Sequence, residues 1–273
     1  MGMEAATPRP LALVTGASSG IGLELARQFA EHGFDLIITA EDDELAAAEQ
    51  DLRGHGGAVE AVRADLATPE GVETLYGRVT AAGRPLDAAA LNAGIGAGGA
   101  FATDTALGDE LTLVDLNVRS TVHLAKYVVR DMVARGEGRI LFTSSIASTM
   151  PGAFQAVYNA SKSFVQSFAL ALREELKDSG VTITSLMPGP TETEFFERAD
   201  MLDTRVGASD KDDPADVARD GFEALMDGKE RVVSHSLSTK LQGRGSRFMP
   251  DRAKAAMHRR MAEPGSGGDD DEG

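Results

Sequence analysis

The segment LALVTGASSGIG, residues 11–22, joins a short apolar run to a turn that contains three glycines, and an amphipathic segment follows it. A glycine-rich turn between a strand and a helix brings backbone N–H groups and a helix N-terminus close to a phosphate. Gly16 permits the sharp turn, Gly20 allows close backbone approach, and Gly22 lets the helix pack on the sheet. The segment therefore predicts the first strand, phosphate-binding turn and helix of a βαβ unit.

Outward from this turn, short apolar runs alternate with longer segments of helical periodicity. The runs predict strands at 11–15, 35–39, 58–62, 86–91, 139–143, 181–187 and 231–234. The helical segments lie near 21–32, 43–53, 69–82, 107–135, 156–179 and 214–227. This alternation predicts an α/β fold, a doubly wound parallel sheet of about seven strands with helices on both faces.

No interior linker divides the chain, so we expect a single domain over residues 1–264. The polar segment 190–212 carries Phe195, Phe196 and Met201, and it is either a lid over a substrate or an ordinary surface loop. Residues 237–262 form a C-terminal extension, in which Pro250 occupies a first helical position. The segment 265–273 contains only Gly, Ser and acids, which predicts a disordered tail.

The composition excludes several classes of function. The 273 residues include no cysteine, which excludes disulfides, thiolate metal sites and thiol nucleophiles, and we expect no metal. A net charge of −16 disfavours binding to nucleic acid. No apolar run approaches the roughly 18 residues of a membrane span, and the N-terminus lacks a secretory-signal pattern. We therefore expect a cytoplasmic protein.

The charge is unevenly distributed, because residues 240–260 hold seven basic side chains and a single acid. The basic residues are Lys240, Arg244, Arg247, Arg252, Lys254, Arg259 and Arg260. Such a segment is either a docking surface for an acidic partner or a solvated helix face or subunit contact.

Four consecutive acids, Glu41, Asp42, Asp43 and Glu44, follow the second predicted strand. An acid about 20 residues after a glycine-rich turn can accept hydrogen bonds from the ribose hydroxyls of a dinucleotide, whereas a 2′-phosphate would require an arginine. We therefore expect NAD with Glu41 as the ribose contact, and NADP is the alternative cofactor. Alternatively, these acids only charge the N-terminus of the next helix favourably.

Tyr158 and Lys162 are four residues apart in a helical segment, so they share one face of the helix. A free tyrosine has a pKa near 10, and a neighbouring ammonium group is expected to lower that pKa. The phenol could then exchange a proton with a carbinol or carbonyl oxygen. The alternative is that both side chains simply pack and are solvated.

Ser145 ends the fifth predicted strand, and ligands of open α/β sheets bind beyond the carboxyl ends of strands. Its hydroxyl could stabilise negative charge on a substrate oxygen. Ser144 and Ser148 are neighbouring candidates, and these hydroxyls could also cap the next segment. Asn117 lies within an apolar helical pattern, where asparagine is a middling helix former; it is either a functional residue or a solvated one.

Together these motifs resemble those of the short-chain dehydrogenase/reductase family. Thr15-Gly16 and Gly20-Ile21-Gly22 match T-G-x-x-x-G-x-G, and Tyr158 with Lys162 matches Y-x-x-x-K. Asp65-Leu66, Asn92-Ala93-Gly94 and Pro188-Gly189-Pro190-Thr191-Glu192-Thr193 resemble three further family motifs, the last with Thr191 in place of Val. The resemblance covers about residues 11–193, and residues 194–273 lie outside it.

The resemblance implies a Rossmann-type oxidoreductase that moves hydride between NAD(P) and a small carbonyl or secondary alcohol substrate. It implies that Ser145 orients the substrate oxygen, Tyr158 is the acid/base, Lys162 also binds the nicotinamide ribose, and Asn117 distorts its helix and holds a relay water. The implied cofactor contacts are Gly16, Ser18, Ser19, Gly20, Ile21, Gly22, Glu41, Asp65, Leu66, Asn92, Ala93, Gly94, Tyr158, Lys162, Pro188, Gly189, Thr191 and Thr193. It also implies a homodimer or homotetramer, paired through helices 107–135 and 156–179.

Two alternatives stay open at this point. Because fold does not fix function, the chain could be a non-catalytic NAD(P)-binding sensor or scaffold. Among enzymes, it could be a ketoacyl-type reductase whose substrate is attached to an acidic carrier, with the basic segment 240–260 as the dock. The net negative charge disfavours that encounter.

Overall fold

Seven parallel strands form one sheet in the computed structural model, which describes residues 9–233 and 250–267. They are β1 Leu11–Thr15, β2 Asp35–Ala40, β3 Val59–Arg63, β4 Ala88–Leu91, β5 Gly138–Thr143, β6 Val181–Met187 and β7 Arg231–Val233. The strand order is β3-β2-β1-β4-β5-β6-β7, and every pairing is parallel. The predicted sheet is confirmed, and Ser234, the last residue of the seventh predicted strand, lies outside the described residues.

Helices cover both faces of the sheet. They are α1 Gly20–Glu31, α2 Leu45–Arg53, α3 Pro69–Ala81, α4 Leu107–Val114, α5 Thr121–Arg135, α6 Ala156–Glu175, α7 Phe195–Arg198, α8 Arg205–Ala208, α9 Pro214–Met226 and α10 Asp251–Ala262. The helical segment predicted over 107–135 is confirmed, and it contains a π-helical turn, Asp115–Ser120, between α4 and α5. Such turns often occur at functional sites.

Alternation along the strands divides the core into two layers. Val14 and Ile38 point toward the layer that contains α1 and α9, whereas Leu13 and Ile37 point toward α3, α5 and α6. Burial on both faces explains why the strands read as continuous apolar runs rather than as alternating ones. In the first layer Phe29 is fully buried and packs edge-on against two other phenylalanine rings.

The strand order reverses between β1 and β4, which are direct neighbours in the sheet. At such a switch point the loops after adjacent strands diverge to opposite faces, and a crevice opens at the carboxyl ends of the strands. The turn after β1 and the segments after β4, β5 and β6 all meet at this crevice. The fold therefore brings the predicted motifs to one edge of the sheet.

The segment 190–212 folds over this edge. Thr191 and Asp212 pair at its base, Phe196 within α7 is buried, and Met201, between α7 and α8, is buried as well. The segment therefore lies at the cavity, where a lid would lie, and its role as a lid stays a prediction.

The C-terminal part differs from expectation at two places. Pro250 is the N-cap of α10 rather than its first residue, because its backbone is extended and its carbonyl accepts the bonds of Ala253 and Lys254. Residues 265–267 were expected in a disordered tail, but Gly265 and Gly267 donate backbone hydrogen bonds to Asp203. Residues 268–273 lie outside the described residues. Within the described ranges, no helix has the length and apolar character needed to cross a membrane.

Candidate active site

The glycine-rich turn after β1 is built so that only glycine fits at three positions. Gly16 and Gly20 have φ values of +66° and +53°, in the left-handed region. A Cβ atom on Gly22 would lie 1.8 Å from the carbonyl oxygen of Gly16. The first turn of α1 contains no acidic side chain, so the positive end of the helix dipole faces the turn without a competing charge. This arrangement fits the pyrophosphate of a dinucleotide.

Asn92 ties the ends of three strands together beneath the turn. Its backbone N–H and that of Ala93 both donate to the Thr15 hydroxyl at 2.9 Å. The Asn92 amide donates to the carbonyl oxygen of Thr15 at 3.2 Å and accepts from the Thr143 hydroxyl at 2.9 Å. The polar atoms of Asn92 are therefore used within the protein, and its observed role is to hold β1, β4 and β5 in register at the crevice.

A single cavity of about 840 Å³ joins the glycine-rich turn to the ends of β4, β5 and β6. The following predicted cofactor residues line it: Gly16, Ser18, Ser19, Gly20, Ile21, Gly22, Glu41, Asp65, Leu66, Asn92, Ala93, Gly94, Tyr158, Lys162, Pro188, Gly189, Thr191 and Thr193. Ser145 also lines it, whereas Asn117 does not. The cavity therefore extends from the predicted phosphate site to the predicted catalytic residues.

The acids after β2 do not contribute equally. Glu41 is exposed at the cavity wall, whereas Asp42 turns toward the glycine-rich turn and accepts a hydrogen bond from the Ser18 hydroxyl at 2.9 Å. The other carboxylate oxygen of Asp42 is buried and has no partner. The Asp42 residue nevertheless lines the cavity, so its negative charge lies where the ribose of a dinucleotide is predicted to bind. Asp42 was missed as a site residue because four consecutive acids give no sign of which one turns inward.

The remaining wall of this half is formed after β3. Leu66 is buried, and the Asp65 carboxylate accepts the backbone N–H of Ala67 at 2.8 Å. This bond orders the loop that lies against the cavity. Arg63 is the nearest basic side chain; it donates to the Glu41 carbonyl at 2.8 Å and pairs with Asp43.

Hydrogen bonds and position distinguish Ser145 from the other two candidate serines, Ser144 and Ser148. The Ser144 hydroxyl donates to the carbonyl oxygen of Lys162 at 3.0 Å, inside the protein. The Ser145 hydroxyl lines the cavity, accepts the backbone N–H of Ala147 at 3.1 Å and contacts the Pro188 carbonyl at 3.5 Å. Ser148 does not line the cavity. Of the three candidates, Ser145 alone has a hydroxyl at the cavity whose hydrogen is held only by a long contact.

Tyr158 and Lys162 lie one turn apart on α6 and line the same cavity. The Lys162 Nζ is 5.9 Å from the centre of the Tyr158 ring and donates to the Thr143 carbonyl at 3.1 Å. Both side chains are buried. The expectation that the ammonium lowers the pKa of the phenol is wrong for this state: burial raises the pKa of Tyr158 to about 12, against a smaller lowering by the Ser145 hydroxyl. Burial also lowers the pKa of Lys162 to about 8.

Asn117 lies in the π-helical turn and is 1% exposed, so the distortion expected at this residue is present and a solvated asparagine is excluded. Its Oδ1 accepts from the backbone N–H of Ile95 at 2.9 Å, and its Nδ2 donates to the Ile95 carbonyl at 2.9 Å and to the Ser161 hydroxyl at 3.0 Å. The amide thus fastens the loop after β4 to α6, close behind Lys162.

The motif after β6 approaches the turn from the other side. A Cβ atom on Gly20 would lie 2.9 Å from the methyl group of Thr193, and the Thr191 hydroxyl donates to the Gly189 carbonyl at 3.0 Å. Thr193 is therefore in contact with the predicted phosphate site.

Several residues outside the predicted set complete the cavity. Phe195 lies with its ring centre 5.1 Å from that of Tyr158, and α10 contributes His258, Met261 and Ala262. His258 is 105 residues from the carbonyl that its ring contacts, so no local pattern could have brought it to the site. An apolar pair in an otherwise polar segment was the one available signal for Phe195.

The basic segment 240–260 is only partly described, and Lys240, Arg244 and Arg247 lie outside the described residues. Of the others, Lys254 lies 3.4 Å from Asp251 and Arg259 lies 3.0 Å from Glu263. These pairings reduce the free positive charge that a carrier dock would offer.

A model of the short-chain dehydrogenases matches residues 10–201 of this chain. An uncharacterized short-chain type dehydrogenase/reductase, y4eK, from Sinorhizobium fredii is 35% identical over 189 residues, which is 69% of this chain and 73% of that protein.

Solved structures agree in fold. A short-chain dehydrogenase from Sphingobium yanoikuyae in complex with NADPH has a TM-score of 0.76 and 30% identity, over 88% of this chain and 96% of that one. A short-chain dehydrogenase/reductase from Burkholderia phymatum in complex with NAD has a TM-score of 0.80 and 25% identity, over 86% and 92% of the two chains.

Proposed function

This chain belongs to the short-chain dehydrogenase family, and we propose that it interconverts a lipophilic carbonyl compound and its secondary alcohol with NAD, through Ser145, Tyr158 and Lys162. The observation that carries the proposal is the single cavity that holds the glycine-rich turn at one end and these three side chains at the other. A sensor or scaffold would need only the binding glycines, whereas this site also holds a buried tyrosine and lysine.

The chemistry divides between the cofactor and the protein. A bound nicotinamide ring supplies or accepts the hydride. Ser145 donates a hydrogen bond to the substrate oxygen, because its oxygen is already held by the backbone N–H of Ala147 and its hydrogen is free to turn into the cavity. Tyr158, next to it, gives its proton to that oxygen during reduction and takes it back during oxidation.

Lys162 acts on Tyr158 from one helical turn away. A pKa of about 8 leaves it mostly cationic at neutral pH, and the positive charge favours the phenolate that forms when Tyr158 gives up its proton. Asn117 is a positioning residue in this scheme, because its side-chain amide is fully used by Ile95 and Ser161. A relay water in this region would therefore form its hydrogen bonds with atoms other than this side-chain amide.

The preference for NAD rests on Asp42 as well as Glu41. Asp42 lines the cavity beside the glycine-rich turn, and its negative charge would repel a 2′-phosphate. The Ser18 hydroxyl, which could otherwise bind a phosphate, is already donated to Asp42. Relatives in this family are found with NAD and with NADPH, so this preference needs its own measurement.

The first experiment is a titration of purified protein with NADH and NADPH, followed by nicotinamide fluorescence. We expect NADH to bind at least about tenfold more tightly, a difference of about 1.4 kcal/mol. Asp42→Arg should make NADPH bind more tightly than NADH. Arg63→Ala is the matched control, because it changes a neighbouring charge that pairs with Asp43 rather than with Asp42. Tighter NADPH binding to the wild-type protein would overturn the preference and leave the oxidoreductase function intact.

The second experiment tests the catalytic assignment with a panel of aliphatic and aromatic ketones. Tyr158→Phe removes the exchangeable proton and retains the ring that packs on Phe195, so it should bind NADH normally and lose ketone reduction. Reduction at an unchanged rate by this variant would overturn the role of Tyr158. Tight NADH binding by the wild-type protein without turnover of any carbonyl would favour the sensor.

We also propose a homodimer that pairs through α4, α5 and α6. These helices carry apolar side chains that are at least 38% exposed, namely Leu107, Leu111, Val122, Val133 and Phe164. Such a grouping on one side of a domain is typical of a subunit interface. Light scattering should give twice the 28.7 kDa chain mass or a multiple of that dimer, and Phe164→Glu should lower it; a wild-type monomer would refute the dimer.

A further inference from the structure

The helix α10 forms part of the cavity wall although it lies outside residues 10–201, where the family model matches. His258, Met261 and Ala262 face the same cavity as Tyr158 and Ser145. The cavity lining also includes apolar side chains, among them Ile95, Met150, Phe195, Phe196 and Val206, together with polar ones such as Gln155 and Arg198. Of the three α10 residues that line the cavity, His258 is the one whose side chain can form a hydrogen bond.

The position of α10 is fixed from two sides. At its C-terminal end, Gly265 donates to the Asp203 carboxylate at 2.7 Å and Gly267 to the Asp203 carbonyl at 2.8 Å. The backbone N–H of Arg205 donates to the Ser266 hydroxyl at 3.1 Å. On the inner side, Ala262 packs with Phe196 in a buried apolar cluster. These contacts hold the helix against the segment 190–212 and direct its inward side chains toward the cavity.

His258 is the polar group that α10 presents. It is 5% exposed, and its Nδ1 lies 3.0 Å from the carbonyl oxygen of Ala153. A carbonyl oxygen only accepts, so Nδ1 carries a hydrogen. Burial lowers the pKa of His258, which keeps the ring neutral at neutral pH. The second nitrogen, Nε2, is then a hydrogen-bond acceptor.

Among the described residues no side chain or backbone group donates to this Nε2. Nε2 is not fully enclosed by protein atoms, so it belongs to the small part of the ring that is exposed. Because His258 borders the cavity, that open edge is available to a molecule bound there. An unpaired acceptor at the cavity wall discriminates between ligands, since ligands that lack a donor leave it unsatisfied.

We propose that His258 determines substrate specificity by accepting a hydrogen bond from a hydroxyl group of the substrate that is remote from the reacting carbon. The substrate class is then a ketone, or the matching secondary alcohol, with an apolar body and a second hydroxyl group. This inference rests on the proposed function, because it requires a substrate carbonyl at Ser145 and Tyr158. The apolar lining accounts for the body, and His258 accounts for the second polar group.

The test uses three matched series of ketones from five to eight carbons: 2-alkanones, their ω-hydroxy derivatives and their ω-methoxy derivatives. A methoxy group is polar but cannot donate, so the hydroxy-to-methoxy ratio of kcat/KM isolates the donated hydrogen bond. At the chain length that spans the cavity, wild-type protein should favour the hydroxy ketone roughly three- to tenfold. A ratio near one at every length would overturn the proposal.

Two variants separate recognition from folding. The side-chain nitrogen of His258→Asn can replace Nδ1 toward Ala153 but nothing replaces Nε2, so the hydroxy-to-methoxy ratio should fall to about one while the melting temperature is kept. His258→Gln reaches the Nε2 position but loses the Ala153 bond, so it should lower the melting temperature and retain part of the ratio. A wild-type ratio in His258→Asn would overturn the role of Nε2. Turnover of no ketone in any series would instead overturn the proposed function.

Discussion

Replacing Gly22 by alanine should damage both the stability of the fold and the binding of the cofactor. The added Cβ would lie 1.8 Å from the Gly16 carbonyl oxygen and 2.6 Å from Nδ2 of Asn92. Contacts of a real Cβ are essentially never shorter than 3.0 Å, so α1 and the turn must separate by at least about 1.2 Å. That movement widens the site where the backbone approaches the predicted pyrophosphate.

The energetic cost has two parts. Overpacking of a closely packed site costs roughly 1–3 kcal/mol. The displaced Asn92 amide also loses its hydrogen bond to Thr15, worth about 1 kcal/mol. Together these give a loss of about 2–4 kcal/mol, which for a chain of this size lowers the melting temperature by roughly 4–16 °C.

The assay is thermal unfolding, monitored by circular dichroism, together with NADH titration. Gly77→Ala is the matched control, because Gly77 is exposed on α3 and an added Cβ there meets nothing within 4 Å. The control should be neutral or stabilised by roughly 0.4–1 kcal/mol. If Gly22→Ala melts with the wild-type protein and binds NADH equally well, the steric account of the turn is wrong.

Two further predictions concern α6 and the π-turn. Lys162→Met should raise the free energy of unfolding at pH 7 by up to roughly 3 kcal/mol, because burial lowers the lysine pKa from 10.5 to about 8 and so destabilises the folded cation. The gain is present in full below pH 8 and should shrink as the pH rises toward 10.5; urea unfolding at pH 7 and pH 10 measures it, and an equal gain at both would contradict the burial argument. Asn117→Ala leaves the backbone N–H and carbonyl of Ile95 unpaired and should cost about 1–3 kcal/mol in urea unfolding, with reduced ketone turnover. An unchanged midpoint would show that water replaces the amide at no cost.

The parts of the site that local sequence predicted are those that local geometry builds. The glycine-rich turn is specified by the spacing of Gly16, Gly20 and Gly22, and a helical period of 3.6 residues places Lys162 beside Tyr158. The alternation of strands and helices predicted a parallel sheet with helices on both faces. Each of these depends on residues that are close in the chain.

The parts that the sequence did not predict depend on tertiary packing. The bond from Ser18 selects Asp42 over Glu41 across 24 residues, and the contact of His258 with Ala153 spans 105 residues. The unusual Asn117, which is a middling helix former, was the one mark of the π-turn in the sequence. The expected lowering of the Tyr158 pKa was wrong. Spacing in the sequence reveals a neighbouring charge, whereas the effect of desolvation depends on burial in the folded protein.

Burial shifts the pKa values of Tyr158 and Lys162 in opposite senses, as their proposed catalytic roles require. It raises the pKa of the phenol to about 12 and lowers that of the ammonium to about 8, so each side chain is pushed toward its neutral form. A buried neutral tyrosine holds its proton until a negative charge develops on a substrate oxygen beside it. The Nζ of Lys162, 5.9 Å from the centre of the Tyr158 ring, is mostly cationic at neutral pH, and a phenolate on that ring would strengthen its preference for the cation. The pair thus carries a stability cost in the resting protein that is relieved when the proton moves, which is the behaviour expected of a catalytic group rather than of a structural ion pair.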